Sequence, residues 1–265
     1  MGREHVRVEV ADRVATVTLS RPKKHNALDL EMFDGLIAAA ERVGGRADVR
    51  AAVLHGAGPS FCSGLDVTGV LSAGDGLDGL LEPLRGEPPN RFQRAAYDWL
   101  RLPVPVIAAV HGACLGAGLQ IALAADIRFA APDARLSVAE IRFGLIPDMS
   151  ITRTLPRLVG SDVARELAYT GRVLTGQEAT TLGLVTHLAD DPLAAALGLA
   201  RHIAARSPDA VRAAKRLFED GWLGPAERTL ALEAELQLGL IGSPNQLAAA
   251  GAELSRQQAQ FADPN

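Results

Sequence analysis

The chain of 265 residues is 48% hydrophobic, 22% charged and only 4% aromatic. This fits a soluble globular protein of one large domain, or one domain and an appendage, with a core of Ala, Val, Leu and Ile. The formal net charge is −4 and the Lys and Arg residues are scattered, so the basic block that nucleic acid or an anionic membrane would attract is missing, while a local phosphate site stays open.

The first residues, MGREHVRVEV, are charged and lack an apolar signal core, which predicts a cytoplasmic protein. Residues 6–10 and 14–19 read as two short strands around Asp12-Arg13, a hairpin. From Leu28 to Glu41, apolar residues at Leu28, Met32, Phe33, Leu36, Ile37 and Ala40 recur at helical spacing. AAVLHGAG (51–58) and VIAAVHGA (106–113) are compact apolar strands that run into glycine. This faint repeat of buried strand, glycine turn and helix favours an α/β core with parallel strands. Residues 69–90, rich in Gly, Pro and acid, read as a loop or short-helix insertion over a site. NRFQRAAYDWLRLP then makes a helix that Pro103 stops. Further strands are expected at 127–130 and 184–188.

Thr175 with Glu178 forms a capping box for a short helix ended by Gly183. Helices follow at about 193–206, 209–220, 225–241 and 244–260, several opened by Pro in the first turn. The expected division is a core over 1–190 and a C-terminal helical subdomain over 191–265.

The stretch 110–126, VHGACLGAGLQIALAAD, raises the functional question. The wider segment 102–125 is long and uncharged enough to suggest a membrane span, but Pro103, Pro105, Gly112, Gly116, Gly118 and Gln120 break it, and unpaired backbone is costly in lipid. It is not a dinucleotide fingerprint, because Ile121 stands where a third glycine belongs, and no Gly-Lys-Ser/Thr follows to make a phosphate loop. FCSGL lacks the glycine two residues before Ser63 that a nucleophile elbow needs. Cys62 and Cys114 cannot form a disulfide framework, and no Cys/His cluster has zinc-ligand spacing. What remains is backbone chemistry: glycines before a helix expose main-chain N–H groups. GPSFCSGLDV (58–67) can supply a second donor, and two convergent N–H groups make an oxyanion hole. The alternative is that these glycines serve only tight turns and close packing.

Taken together, these segments resemble the crotonase, or enoyl-CoA hydratase/isomerase, superfamily. The likeness runs in order through RPKKHNAL (21–28), GPSFCSGLDV (58–67), 105–136, EIRFGLIPD (140–148), LPRLVG (155–160) and TGRVLTGQEATTLGLV (170–185). The resemblance implies an α/β fold, a spiral of ββα turns with a C-terminal helical region, assembled as a trimer or a dimer of trimers. It implies an acyl-CoA thioester as substrate, with coenzyme A part of the substrate and no separate cofactor or metal. It puts the oxyanion-hole donors at the N–H groups of Leu65 and Ala117. It lays coenzyme A against Arg21–Asn26, including Lys23, Lys24 and His25, and against the Ser63–Asp66 turn. Arg256 is a further candidate, reaching a neighbour's phosphates.

The catalytic positions depart from the hydratase pattern of two glutamates around one water. Glu140 matches one of them; Gln120 stands at the other and cannot accept a proton as a carboxylate does. Asp148 stands where hydratases usually carry glycine. In the dienoyl-CoA isomerase branch, a Glu and an Asp at positions like Glu140 and Asp148 move the protons. The reading favoured is therefore an isomerase shifting a 3,5-dienoyl-CoA to its 2,4-isomer. A hydratase using Glu140, with Gln120 orienting water, stays open, as does a non-catalytic acyl-CoA-binding protein. Plainer roles stay open too. Asp148 is a favoured residue for capping a helix. Glu140 has Arg142 nearby to pair with, Gln120 suits a satisfied core amide, and His111 suits a structural role.

Overall fold

The computed structural model describes residues 5–71, 81–83, 88–222 and 224–264. The expected insertion therefore lies largely outside the described residues. The chain opens with β1 (Val6–Ala11) and β2 (Val14–Leu19), paired antiparallel from Val6 opposite Leu19 to Ala11 opposite Val14. Asp12 and Arg13 both take positive φ, 50° and 64°, the backbone that a two-residue hairpin turn requires. Next come β3 (Ala51–Gly56), β4 (Val106–Val110) and β6 (Ile127–Ala130), each parallel to its neighbour in the sheet, with the short β9 (His187–Leu188) at the far edge. Between β4 and β6 in sequence lies β5 (Ala113–Leu115), which joins β7 (Arg135–Ser137) and β8 (Leu174–Thr175) in a separate three-stranded sheet.

The expected helix at 28–41 begins two residues later, as α1 (Leu30–Gly44). Asp29 caps it, its carboxylate accepting from the Met32 N–H at 2.9 Å. Leu28 stays extended because its backbone is already committed. Its N–H donates to Gly64 O at 2.8 Å and its carbonyl accepts from Asp66 at 2.9 Å. The apolar stripe Met32, Phe33, Leu36, Ile37 and Ala40 is buried. It faces α3 (Arg91–Leu100), where Phe92 meets Phe33 edge-on with ring centroids 4.7 Å apart. A short α2 (Val67–Leu71) lies between these helices in sequence. α4 (Ala117–Leu123) is buried throughout. α5 (Ile151–Thr154), α6 (Ser161–Thr170) and α7 (Gly176–Thr181) follow, the last opened by the expected box between Thr175 and Glu178. The apolar stretch 102–125, read as too broken to span a membrane, contains β4, β5 and α4, and among the described residues no helix is long and apolar enough to cross a membrane.

The C-terminal helices are α8 (Pro192–Ala204), α9 (Pro208–Gly221), α10 (Ala226–Leu240) and α11 (Pro244–Ser255). α8 belongs to the core rather than to an appended unit. Ala196, Ala200 and Ala204, one turn apart, pack with Ala51, Val53, Ile107 and Ala109 on the face of the sheet opposite α1. Small residues at that spacing let a helix approach a flat sheet closely. α9 is tied to the core by Lys215, whose ammonium donates to Asp126 Oδ2 at 2.8 Å and Val104 O at 3.1 Å. The final segment is held by Arg50, 7% exposed, which donates to Ala204 O at 3.1 Å and Phe261 O at 2.9 Å.

One buried side chain knits the loops at the ends of β2 and β3. Asn26 is fully buried; its Nδ2 lies 2.9, 2.7 and 3.1 Å from the carbonyls of Ala57, Ser60 and Phe61, and its Oδ1 accepts from the Arg21 N–H at 2.8 Å. Asn26→Ala leaves these groups unpaired inside the protein. We expect it to lower unfolding free energy by about 2–4 kcal/mol, seen as a lower denaturant midpoint with an unchanged slope; a shift below about 0.5 kcal/mol would contradict this accounting.

Candidate active site

The site is built where three backbone segments run side by side. Phe61 and Cys62 donate to His111 O and Ala113 O at 2.8 and 2.9 Å, and Leu115 donates back to Cys62 O at 3.0 Å. On the other side, Ser63 donates to His25 O at 2.9 Å, and Leu28 pairs across Gly64 to Asp66 as described. The Ser63–Asp66 turn is therefore clamped between residues 25–28 and 113–117. Gly64 has φ +98°, and a Cβ there would stand 2.9 Å from Leu115 O and 3.9 Å from Ala117 N. Gly116 has φ +51° and donates to Ser137 O at 2.8 Å. The two turns place the N–H groups of Leu65 and Ala117 on adjacent segments, and among the described residues no protein acceptor takes either one. Open N–H groups on neighbouring segments are the kind of donors that a developing oxyanion uses.

Glu140 starts a single 3-10 turn (Glu140–Phe143), which Gly144 ends in the left-handed conformation. The turn is fixed from below, since Arg142 donates to Gly171 O at 2.6 Å and Ser137 Oγ donates to the same carbonyl at 2.8 Å. A Cβ on Gly116 would lie 3.3 Å from Glu140 Oε1, so this carboxylate stands directly against the turn that presents Ala117. Gln120, 1% exposed on α4, donates from Nε2 to Glu140 Oε1 at 2.7 Å and accepts at Oε1 from the Met149 N–H at 2.8 Å. Glu140 Oε2 is buried and has no protein partner among the described residues. Burial pushes the Glu140 carboxyl above its ordinary value. Backbone hydrogen bonding and Gln120 oppose the rise, and the Asp148 charge adds to it. Burial raises Asp148 as well.

The plainer roles do not hold for the two acids. Asp148 is not a helix cap: the following helix starts at Ile151, behind Ser150, which takes φ +64° and makes no capping bond. Glu140 does not pair with Arg142, whose guanidinium is spent on Gly171. Gln120 is buried, with its Nε2 donating to Glu140 Oε1 and its Oε1 accepting from the Met149 N–H. His111 has the structural role, with Nε2 on Gly58 O at 2.9 Å. Burial pushes the Cys62 thiol up to about 12 and raises Cys114 too, so neither offers a thiolate. Among the described residues no group of three or more His, Cys, Asp or Glu is placed to hold a metal ion.

The expected coenzyme A contacts divide into two kinds. Lys23 and Lys24 are exposed on the turn Pro22–Lys24, beside the clamped segment. The His25 and Asp66 side chains instead brace that segment. His25 Nδ1 lies 2.9 Å from Ser60 Oγ, and Asp66 takes Arg21 at 3.1 Å and the Gly69 N–H at 3.2 Å. Ser63 Oγ reaches Lys24 O at 3.4 Å. Arg256 is exposed at the end of α11 and touches neither segment among the described residues. Sequence reading passed over Arg21 as an individual, although its guanidinium bridges Asp29 at 3.0 Å and Asp66 at 3.1 Å and holds the start of α1 to the turn. Its signal was its place in RPKKHNAL, but the two partners lie 8 and 45 residues away along the chain.

The family model for enoyl-CoA hydratase/isomerase matches residues 9–259. A probable enoyl-CoA hydratase of Rhodobacter capsulatus is 38% identical over 239 residues, 89% of this chain and 90% of that protein. The mitochondrial Delta(3,5)-Delta(2,4)-dienoyl-CoA isomerase of Homo sapiens is 36% identical over 222 residues, 80% of this chain and 67% of that protein. The crystal structure of an enoyl-CoA hydratase from Bacillus anthracis superposes with a TM-score of 0.90 at 30% identity, covering 98% of this chain and all of that one. The chain belongs to the enoyl-CoA hydratase/isomerase family and is an acyl-CoA enzyme of that family.

Two outcomes follow from this geometry. In Gly64→Ala, the new Cβ at 2.9 Å from Leu115 O forces the turn to move and takes the Leu65 N–H off line. Turnover of the acyl-CoA substrate should fall about 10²- to 10³-fold with a native circular dichroism spectrum, and a rate within threefold of the parent would place the donor elsewhere. The second concerns pH. Because the folded pKa of Glu140 is raised, the stability linked to it is fully present below the unfolded value and is lost as pH rises through the folded one. Glu140→Gln should therefore raise Tm at pH 7.5, with the gain shrinking toward pH 4; a gain independent of pH would contradict the burial of this charge.

Proposed function

We propose that the enzyme shifts the double bonds of a 3,5-dienoyl-CoA to the 2,4-position, using Glu140 and Asp148 as the proton-moving pair. The observation that carries this reading is that both are half-buried carboxylates with raised pKa values, the Asp148 charge reaching Glu140, while Gln120 between Glu140 and Met149 is a neutral amide. A hydratase needs a second carboxylate to hold and split water, and Gln120 is a neutral amide that cannot accept the proton. A carboxyl that binds its proton tightly is a better base than an ordinary surface acid.

The thioester carbonyl oxygen accepts from the N–H groups of Leu65 and Ala117. One carboxylate takes a proton from C2, and the electron pair passes into a dienolate whose charge rests on that oxygen. The other carboxyl delivers a proton to C6, the C2–C3 and C4–C5 double bonds form, and the oxygen returns to a carbonyl. Electrons and protons balance within the substrate, so the reaction as proposed consumes no water and needs neither a metal nor a redox cofactor. Exposed Lys23 and Lys24 suit the phosphates of coenzyme A.

We also expect assembly as a trimer or a dimer of trimers. Helix α10 buries none of its residues in the single chain, and its Leu230 and Leu238 are exposed. Such an apolar surface fits a contact with another copy.

The deciding experiment is a spectroscopic assay on a 2-enoyl-CoA and a 3,5-dienoyl-CoA. Conjugated 2,4-product should appear without loss of the 2-enoyl chromophore, and Glu140→Gln and Asp148→Asn should each slow it about 10²- to 10⁴-fold. Hydration of the 2-enoyl-CoA that survives Asp148→Asn and is lost in Glu140→Gln would overturn the reading in favour of a hydratase. Coenzyme A binding with no effect of either variant on any turnover would leave a binding protein.

A further inference from the structure

We propose that Gln120 is a positioning residue that confines proton exchange on Glu140 to Oε2 and locks that carboxyl to the turn carrying Asp148. This rests on the reading of Glu140 as a proton-moving group. An amide has one end that only accepts and one that only donates. The acceptor end of Gln120 takes the Met149 N–H at 2.8 Å and the donor end reaches Glu140 Oε1 at 2.7 Å. Turning the amide over would set an NH₂ against an N–H and a carbonyl against a carboxylate, so only one orientation is satisfied. Gln120 and Met149 are 1% and 2% exposed, which leaves the amide no water to turn toward.

Oε1 of Glu140 is then an acceptor in both protonation states: one oxygen of the carboxylate, or the carbonyl oxygen of the neutral acid. The proton must come and go at Oε2, the oxygen that is buried without a protein partner among the described residues. The bond through Met149 binds the residue next to Asp148 to the same amide, so the two acids are set by one part. A neutral amide does this without adding charge. A carboxylate at position 120 would lose the donor and bring a like charge against Glu140.

The test uses Gln120→Met, which keeps the length and removes both hydrogen bonds, and Gln120→Glu, which keeps the shape and adds a charge. First, the protonated carboxyl of Glu140 is titrated by infrared difference spectroscopy on the whole protein, with Glu140→Gln as the blank. The Gln120 hydrogen bond favours the ionised form, so both variants should titrate at higher pH than the parent. Second, kcat and KM are followed against pH with 3,5-dienoyl-CoA. The acid limb of kcat should move up in pH with the titration, and maximal kcat should fall roughly 10- to 100-fold, while KM stays within twofold because the coenzyme A segments lie elsewhere. An unmoved titration in either folded variant overturns the brace. A moved titration with kcat unchanged also overturns it, because Gln120 would then be structural only. If the parent is silent on 3,5-dienoyl-CoA, the isomerase reading falls, and the titration alone decides whether Gln120 governs Glu140.

Discussion

The pairing of residues 61–65 with 111–117 is the constraint on which the rest of the site depends. It is a short stretch of strand-like backbone beyond the ends of β3 and β4, where the two chains have left the main sheet and still run parallel. Because both segments leave adjacent, equally buried strands, their glycine turns arrive at the same height. Gly64 and Gly116 bend the two chains at matching points, and the residue after each presents its N–H. The candidate donors are thus fixed by register rather than by side chains, so the proposed role at position 117 needs only a backbone N–H, which alanine supplies. The other candidate groups flank this pair: residues 25–28 on one side, and Glu140 against Gly116 on the other.

Much of this was legible from residue pattern. The two apolar strands that run into glycine, the hairpin at Asp12-Arg13, the box at Thr175 and the Pro-opened helices are local signals, each settled by a few neighbouring residues. The order of six motifs was specific enough to imply the fold, and it named the N–H groups of Leu65 and Ala117 as candidate donors. What pattern could not give was long-range. Helix α1 starts late because Leu28 is paired to Gly64 and Asp66, far along the chain. Helix α8 reads as the first member of a helical tail, yet its alanines make it part of the core. Spacing shows that small residues recur every four positions, but not which sheet they will meet.

The acids illustrate the same limit at the level of chemistry. Glu140 and Asp148 were identifiable as candidates by position, and Gln120 was conspicuous as the wrong type for a water-splitting site. Which bonds the amide makes was not readable, since Gln120, Glu140 and Met149 come from a helix, a 3-10 turn and a loop. The plainer role for Gln120, a core amide satisfied by backbone, describes only its acceptor end. Its donor end reaches the Glu140 carboxyl. A residue can be both well packed and chemically placed, and neither description excludes the other.

Arg50 gives the chain's last segment an importance its position hides. This guanidinium enters the start of β3 almost sealed from water, and its acceptors are main-chain carbonyls at Ala204 and Phe261, with Asp263 at 3.2 Å. Its Nε is already without a protein partner. A chain cut before Phe261 would keep the cation and lose most of what makes it tolerable indoors. Such a trimmed protein would suffer at the start of β3, at the end of that strand away from the candidate site, whereas extra residues joined beyond Asp263 would leave those carbonyls in place. The final residues are therefore part of the foundation and not a loose end to be tidied away.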